Sequence, residues 1–326
     1  MSLISRSIVF RLLRWFRGGY GRKPDPGRPL NILVFQHERI GDYFVATPMY
    51  QWLGDHLPNA RIDVIASDLN AELIAIDPHV NEHCVISSRR GWRSEVWNAV
   101  RFLRRRRYDL ILVTTFTERT RNAMLCVLAK GRPWCATFSD RERLEQYAEF
   151  FDSVTVRHRL NEHVAVSIMR TAMEALGDHS VPTPRPYVIT TGTPAPYIAI
   201  NVDTRDPRRD WSRSDAEWVG DALRQRFPDL EVIIGWKGTL TEMVSYYANA
   251  RLVITANSAP AHVAAGANVP VVVLYDTEEN ASEWYPVGGV AYRALLPNAG
   301  MPASAIERER VLSAAFEMLE MPHERR

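Results

Sequence analysis

The chain has 326 residues, 46% of them hydrophobic and 24% charged, and a formal net charge of +2. That length suffices for two hydrophobic cores, so two domains are the first expectation. The near-neutral balance argues against a general nucleic-acid binder. Cys84, Cys126 and Cys135 have no metal-ligand spacing and form no even set, so free thiols in a reducing cytoplasm are expected. No stretch approaches the roughly 18 uninterrupted apolar residues that span a membrane.

Charge is unevenly spread. Residues 1–30 carry seven basic groups against Asp25 alone, which leaves the rest of the chain slightly acidic. Within MSLISRSIVFRLLRWFRGGYGRKPDPGRP, a helical projection places Arg6, Arg11, Arg14 and Arg17 on one arc and Ile4, Ile8, Leu12, Trp15 and Phe16 opposite. Arginines recur too often for the apolar core of a secretory signal, and no small-residue cleavage site follows. A basic amphipathic helix of this kind suits an anionic membrane surface, contacted through residues 1–17. The alternative is a helix that packs on the body of the protein. Residues 1–29 are thus read as helix and Gly/Pro-rich tether.

Strand and helix signals then alternate. Asn31–Gln36 (NILVFQ) reads as a strand, Tyr43–His56 as a helix and Arg61–Ser67 as a strand, with a short helix from Leu69. Cys84–Ser87 is a weaker strand, and Trp92–Arg107 a helix ending in the RRRR of 104–107. That run suits a solvated helix end favoured by the dipole, or an added phosphate contact. Strand Tyr108–Thr115, helix Arg121–Lys130, strands Trp134–Phe138 and Val154–Arg157, and helix Glu162–Leu176 complete a domain over 30–182. A Pro-rich linker spans 183–196. Beyond it come strand Tyr197–Val202, helix Ser214–Phe227, strand Leu230–Gly235, helix Thr239–Ala248, strand Arg251–Ala256, a helix from Ser258 and strand Val269–Tyr275. These form a second domain over 197–302, and 303–326 a closing helix, Ser304–Leu319. Alternation of this kind builds α/β domains with parallel sheets. Two of them joined by a hinge are expected to leave a cleft at the carboxyl ends of their strands, where open α/β sheets hold ligands.

Three loops carry chemistry. HERIGDYFVATP (37–48) follows the first strand and has one glycine, too few for a dinucleotide fingerprint or a P-loop. Its Asp42 is either a helix N-cap or a carboxylate offered as a general base. In NVDTRDPRRDWSRSDAEW (201–218), Thr204 and the cluster Arg205, Arg208 and Arg209 sit at a strand end, where arginines either clamp a phosphate or lie on the surface. In VITANSAPAHVAAGANVPVVVLY (253–275), a helix begins after Asn257-Ser258, with His262 one turn in. A helix N-terminus there is a ready anion site, while a Ser cap and a packed His explain the same residues locally. A base in one half and a diphosphate cradle in the other suit sugar transfer from a nucleotide diphosphate, with positive side chains standing in for a metal. No Asp-x-Asp pair argues for one.

Four stretches carry a family resemblance: NILVFQHERIGDYFVATPMYQWLGDHLPNARIDVIAS, YDLILVTTFTERTRNAMLCVLAKGRPWCATFSD, DPRRDWSRSDAEWV and ARLVITANSAPAHVAAGANVPVVVLY. Together they resemble glycosyltransferase family 9, the ADP-heptose:lipopolysaccharide heptosyltransferases. The resemblance spans roughly 31–290 and rests on the combination of motifs. It implies a GT-B fold of two Rossmann-like domains, acceptor on the first and nucleotide on the second. It also implies an inverting, metal-independent reaction with no cofactor, an ADP-linked sugar as donor, and a lipid-linked glycan acceptor met at the inner face of the cytoplasmic membrane. Asp42 matches the catalytic base, Arg209 a lysine that stabilises the donor phosphates, and Thr204 a donor-contacting hydroxyl, with Arg208 beside them. Asn257, Ser258, Ala259 and His262 match the phosphate-binding turn, Thr239 and Met243 the adenine slot. Arg39, Arg119 and Arg121 fall where relatives contact an acidic acceptor.

Three departures stand out. Asn257 replaces a family Asp, and Ala259 a family Gly, which adds a methyl group and removes φ freedom. Strand Leu230–Gly235 runs almost directly into GTLTEM, so against the family pattern roughly one αβ or βα unit of the donor half, with its ribose-binding acid, is expected to be missing. A degenerate relative serving as a non-catalytic glycan-binding or scaffolding subunit is the competing expectation. A GT-B epimerase would need further acidic and His groups.

Overall fold

The computed structural model describes residues 3–86, 92–117, 119–157, 162–190, 193, 195–202, 204, 206 and 209–321. The chain divides into two compact units, Met1–Thr183 and Pro184–Arg326.

In chain order the first unit comprises α1 (Leu3–Arg17), β1 (Asn31–Gln36), α2 (Ile40–His56), β2 (Arg61–Ser67), α3 (Ala71–Ile76), β3 (Glu82–Ile86) and α4 (Trp92–Leu103). There follow β4 (Leu110–Val113), α5 (Arg119–Leu128), β5 (Trp134–Ser139), α6 (Leu144–Ala148), β6 (Ser153–Val156) and α7 (Val164–Leu176). The six strands form one sheet in the order β3-β2-β1-β4-β5-β6, and every pairing is parallel. Strands such as Leu110–Val113 are buried along their whole length, because helices cover both faces and no polar alternation is needed. On one face, Phe10 of α1 and Phe102, Leu103, Leu125 and Phe150 build a core against Phe35, Ile65 and Ile111. Helix α1 lies on this face, packed against α5 and α6, while α2 and α7 pack together. The last of these stops where Gly177 adopts the left-handed conformation, φ 90°, and the N–H groups of Gly177 and Asp178 turn back onto the carbonyls of Glu174 and Met173.

Helix α4 ends at Leu103, so the RRRR run is not a helix terminus. Its arginines are drawn onto carboxylates of neighbouring strands: Arg106 lies 3.0 Å from both Asp63 and Glu82, and Arg105 3.6 Å from Glu82. Tyr108 Oη also donates to Asp63, at 3.0 Å.

The second unit comprises β7 (Tyr197–Asn201), α8 (Arg213–Arg226), β8 (Glu231–Ile234), α9 (Leu240–Asn249), β9 (Leu252–Ala256), α10 (Ala259–Gly266), β10 (Val271–Leu274), α11 (Glu278–Glu283), β11 (Tyr292–Leu295) and α12 (Arg308–Glu320). Its sheet is parallel and five-stranded, β11-β10-β9-β7-β8. Trp211, Leu223, Ile254 and Leu274 belong to its core, which α12 closes with Val311, Ala315 and Met318. In the first unit the third strand pairs outside the second. Here the second strand, β8, is itself the edge, and Gly235–Thr239 leads straight into α9. The expected shortening is therefore one outer strand with its helix. Among the described residues no helix is long and apolar enough to cross a membrane.

Candidate functional site

In the first unit, β1 ends at Gln36, and His37, Glu38 and Arg39 carry the chain into α2. The helix begins at Ile40, three residues before the expected start, so Asp42 lies inside its first turn rather than at the N-cap. Its Oδ2 accepts the Arg39 N–H at 2.8 Å, which satisfies one donor at the helix start. Burial, with Glu38 adding like charge, pushes the Asp42 carboxyl up to about 7, against the Arg39 N–H and guanidinium, which pull it down. The side chain is nonetheless partly open to solvent. A carboxylate poised near neutrality is matched to taking up a proton from an alcohol.

Glu38 was not foreseen. Its Oε1 accepts the N–H groups of Phe116 and Thr117 at 2.9 and 2.8 Å and the Thr117 hydroxyl at 2.7 Å, so it fixes the loop after β4 beside the loop after β1. His37 Nε2 lies 2.9 Å from Asn122 Oδ1 on the same boundary. Of the three arginines assigned to an acceptor, Arg39 is exposed and Arg121 is half-buried. Arg119 differs. It is buried, donates to the carbonyls of Phe116 and Phe138, and stacks over Phe138 with its Cζ 4.8 Å from the ring centroid. Both of its terminal nitrogens are engaged with backbone carbonyls, so it acts as a strut that holds the loop.

In the second unit the strand ends of β7, β9 and β10 converge. Thr204 Oγ1 hydrogen-bonds to Asp210 and to the Asp206 carbonyl, each at 2.7 Å, which ties the loop after β7 into a turn. Arg209 follows in that loop, its Nε 3.6 Å from Asp276 and 3.9 Å from Asp206. Asp276, just beyond β10, is held in turn by the Asn280 side chain at 2.7 Å. Arg208 lies outside the described residues.

The turn after β9 is built from a small polar cluster. Asn201 at the end of β7 reaches Thr255 Oγ1 at 3.2 Å and Ser258 Oγ at 3.3 Å, and Tyr247 Oη donates to Asn201 Oδ1 at 3.3 Å. Ser258 is the N-cap of α10, yet its hydroxyl turns back onto the Ala256 carbonyl at 3.1 Å instead of capping. The Ser258 side chain thus does not cap α10; Pro260 supplies no N–H and Ala261 donates its own to the Ser258 carbonyl at 3.1 Å, which leaves the Ala259 N–H and the helix dipole for an anion. Ala259 opens the helix, and Asn268 is the one non-glycine residue with positive φ among the described residues. The expected loss of φ freedom at Ala259 therefore costs nothing, and only the added methyl group distinguishes it from glycine. Asn257 is buried. His262 is buried as well, its ring 6.1 Å from that of Trp284. Thr239 caps α9 through the Glu242 N–H, and Met243 is half-buried in the next turn.

A family model described as glycosyltransferase family 9 (heptosyltransferase) matches residues 211–298, which includes the turn after β9 and Asp276. Lipopolysaccharide heptosyltransferase 3 of Escherichia coli is 24% identical over 289 residues, covering 76% of this chain and 83% of that protein. The chain is a family 9-like glycosyltransferase. Solved structures agree on its fold. A family 9 glycosyltransferase from Veillonella parvula superposes with a TM-score of 0.69 at 17% identity, covering 92% of this chain and 99% of that one. The E. coli heptosyltransferase WaaC with ADP-2-deoxy-2-fluoro heptose gives 0.70 at 15% identity, over 88% and 99%. This family 9-like chain thus has the GT-B architecture that its motifs implied. Asp276 and Glu38 escaped sequence reading because each is a lone acidic residue beside an apolar strand. Only its distance from Arg209 or from the 116–117 backbone reveals what each does.

Proposed function

We propose that the protein transfers a heptose-like sugar from a nucleotide diphosphate, ADP-linked, to a hydroxyl of a lipid-linked envelope glycan of the lipopolysaccharide-core type. The observation that carries this reading is Asp42, a carboxyl held at about 7 in the first turn after β1. In the reaction, Asp42 takes the proton of the acceptor hydroxyl as that oxygen attacks the anomeric carbon. The bond from that carbon to the phosphate oxygen breaks, and its electron pair leaves with the diphosphate. Attack from the face opposite the leaving group inverts the anomeric centre. Arg209 and the positive end of the α10 dipole, with the Ala259 N–H, collect the charge of the departing diphosphate, so no metal or other cofactor is needed.

Arg39 and Arg121 are proposed to meet acidic groups of the acceptor, with Arg119 holding the loop between them. Thr204 shapes the donor loop, and Asn257, Ala259, Thr239 and Met243 line the donor side. The E. coli relative named above is a lipopolysaccharide heptosyltransferase, and WaaC has been captured with ADP and with an ADP-sugar analogue, which supports both substrate classes. A lipid-linked acceptor places the work at the inner face of the cytoplasmic membrane. The test is a thermal-shift titration of the full chain with ADP, UDP, GDP and CMP. ADP is expected to raise the melting temperature at sub-millimolar concentration, and no shift with any nucleotide would overturn the reading.

A further inference from the structure

Helix α1 turns Arg14 and Arg17 of its charged arc toward the protein, while Arg6 and Arg11 stay exposed. Arg17 pairs with Asp152 at 2.7 Å with both side chains out of solvent, Arg11 pairs with Glu149 at 2.6 Å, and Arg14 donates to the Ala148 carbonyl. Phe10, between them on the helix, is buried in the core, and Leu13 packs against it. Of the arginines that the sequence offered to a membrane, Arg11, Arg14 and Arg17 therefore fasten the helix to the protein.

What faces water is the apolar arc. Ile8, Leu12, Trp15 and Phe16 are 54%, 51%, 73% and 66% exposed, and their spacing puts them in one stripe. Trp15 and Phe16 meet edge to face at 4.9 Å. A soluble domain normally buries such a stripe; here Phe10 and Arg17 face the core and the stripe faces water. The buried Arg17–Asp152 pair also prevents it from rolling over, since rotation would strand both charges. Trp97 on α4 and Met124 on α5, in the same layer of helices, are exposed too.

Where α1 ends, the surface becomes basic. Arg132 donates to the Gly18 carbonyl at 2.8 Å, and the Arg22 N–H reaches the Arg132 carbonyl at 3.4 Å. Arg107 and Lys130 are joined by a backbone bridge two residues away from Arg132. All four side chains are exposed.

We propose that this composite surface seats the protein on an anionic lipid bilayer, with Ile8, Leu12, Trp15 and Phe16 at the boundary of headgroups and acyl chains and the cluster Arg22, Arg107, Lys130 and Arg132 on the lipid phosphates. Charge decides between a bilayer and a second copy of the chain. A two-fold contact through the stripe would bring like basic clusters toward each other, whereas anionic headgroups neutralise them. The inference deepens the functional reading by naming the membrane-facing surface, and it rests on that reading only for its purpose, since binding needs no turnover.

The experiment is co-sedimentation of the full chain with vesicles of phosphatidylethanolamine and phosphatidylglycerol, and with phosphatidylcholine vesicles, at low and high salt. The wild type is expected to bind the anionic vesicles and to lose most binding at high salt. Trp15→Glu with Phe16→Glu should weaken binding by about tenfold or more. Arg107→Glu with Lys130→Glu and Arg132→Glu should do the same and remove the salt dependence. Because these side chains are exposed, unchanged melting temperatures verify the fold. Vesicle binding unaffected by either set overturns the proposal, as does a wild-type dimer that Trp15→Glu with Phe16→Glu converts to monomer. Sugar transfer to a lipid-free acceptor should survive both sets. A wild type that binds vesicles but transfers nothing would instead refute the functional reading and leave this surface standing.

Discussion

Arg17 and Asp152 form a buried ion pair at 2.7 Å that joins the first helix to the sheet of the first unit. Asp152 is fully used: Oδ1 also accepts the Gly21 N–H at 2.9 Å, and Oδ2 the Cys135 N–H at 2.7 Å. Arg17 lies over the Phe150 ring, its Cζ 4.8 Å from the centroid. Asp152→Ala would leave a guanidinium in an apolar site without its counter-charge, and a loss of about 3–5 kcal/mol is expected. Urea denaturation of the two proteins measures it. Arg11→Ala, which removes the exposed pair with Glu149, should leave the urea midpoint almost unchanged.

Asp42 should set the pH dependence of both rate and stability. With its pKa raised to about 7, the carboxylate that accepts the proton forms only as pH rises through that value, so kcat/KM should climb across pH 6–8. The stability effect runs the other way. A raised carboxyl pKa means that the folded state binds its proton more tightly than the unfolded chain. The stabilisation is fully present below the unfolded value near 4 and is lost as pH rises through about 7. Asp42→Asn should therefore melt higher than the wild type at pH 8, by a margin that shrinks toward pH 5. Melting curves across that range test the sign.

Arg209 should matter to the donor. It is held near Asp276 and Asp206 at separations of 3.6 and 3.9 Å, longer than a close ion pair, so a diphosphate can compete for it. Arg209→Ala is expected to lower kcat/KM for the donor by about 10²–10³-fold. Arg209→Lys restores the residue that the family resemblance implies and keeps the charge, so it should recover most of that loss. Steady-state kinetics with varied donor distinguishes the three proteins.

Much of the fold was legible from apolar runs. Strands Asn31–Gln36 and Arg61–Ser67 match the sequence reading residue for residue, because buried parallel strands are continuous in Ile, Val and Leu. Elements without that signature escaped. Strand Tyr292–Leu295 pairs on one side only, so its residues are only half-buried and show no apolar run. Helix Leu144–Ala148 is a single turn, too short for a periodic pattern. The basic run at 104–107 was drawn into the preceding helix, although Asp63 and Glu82 hold it beside the strands. In the candidate site, Asp42, Thr204, Arg209 and the turn at 257–262 were legible as loop positions after strands. Their partners were not, because Glu38 and Asp276 act through contacts distant in sequence. Helix α1 shows the limit of projection most clearly: the two arcs were read correctly, but which one faces the protein depends on Asp152 and Glu149.

The most direct test of the account is transfer of heptose from ADP-heptose to a heptose-deficient lipopolysaccharide core, by the wild type and by Asp42→Asn. The wild type should form product. Asp42→Asn should bind ADP equally well and turn over at least about 10²-fold more slowly. Turnover by Asp42→Asn at the wild-type rate, or a wild type that binds ADP-heptose and moves no sugar, would contradict it.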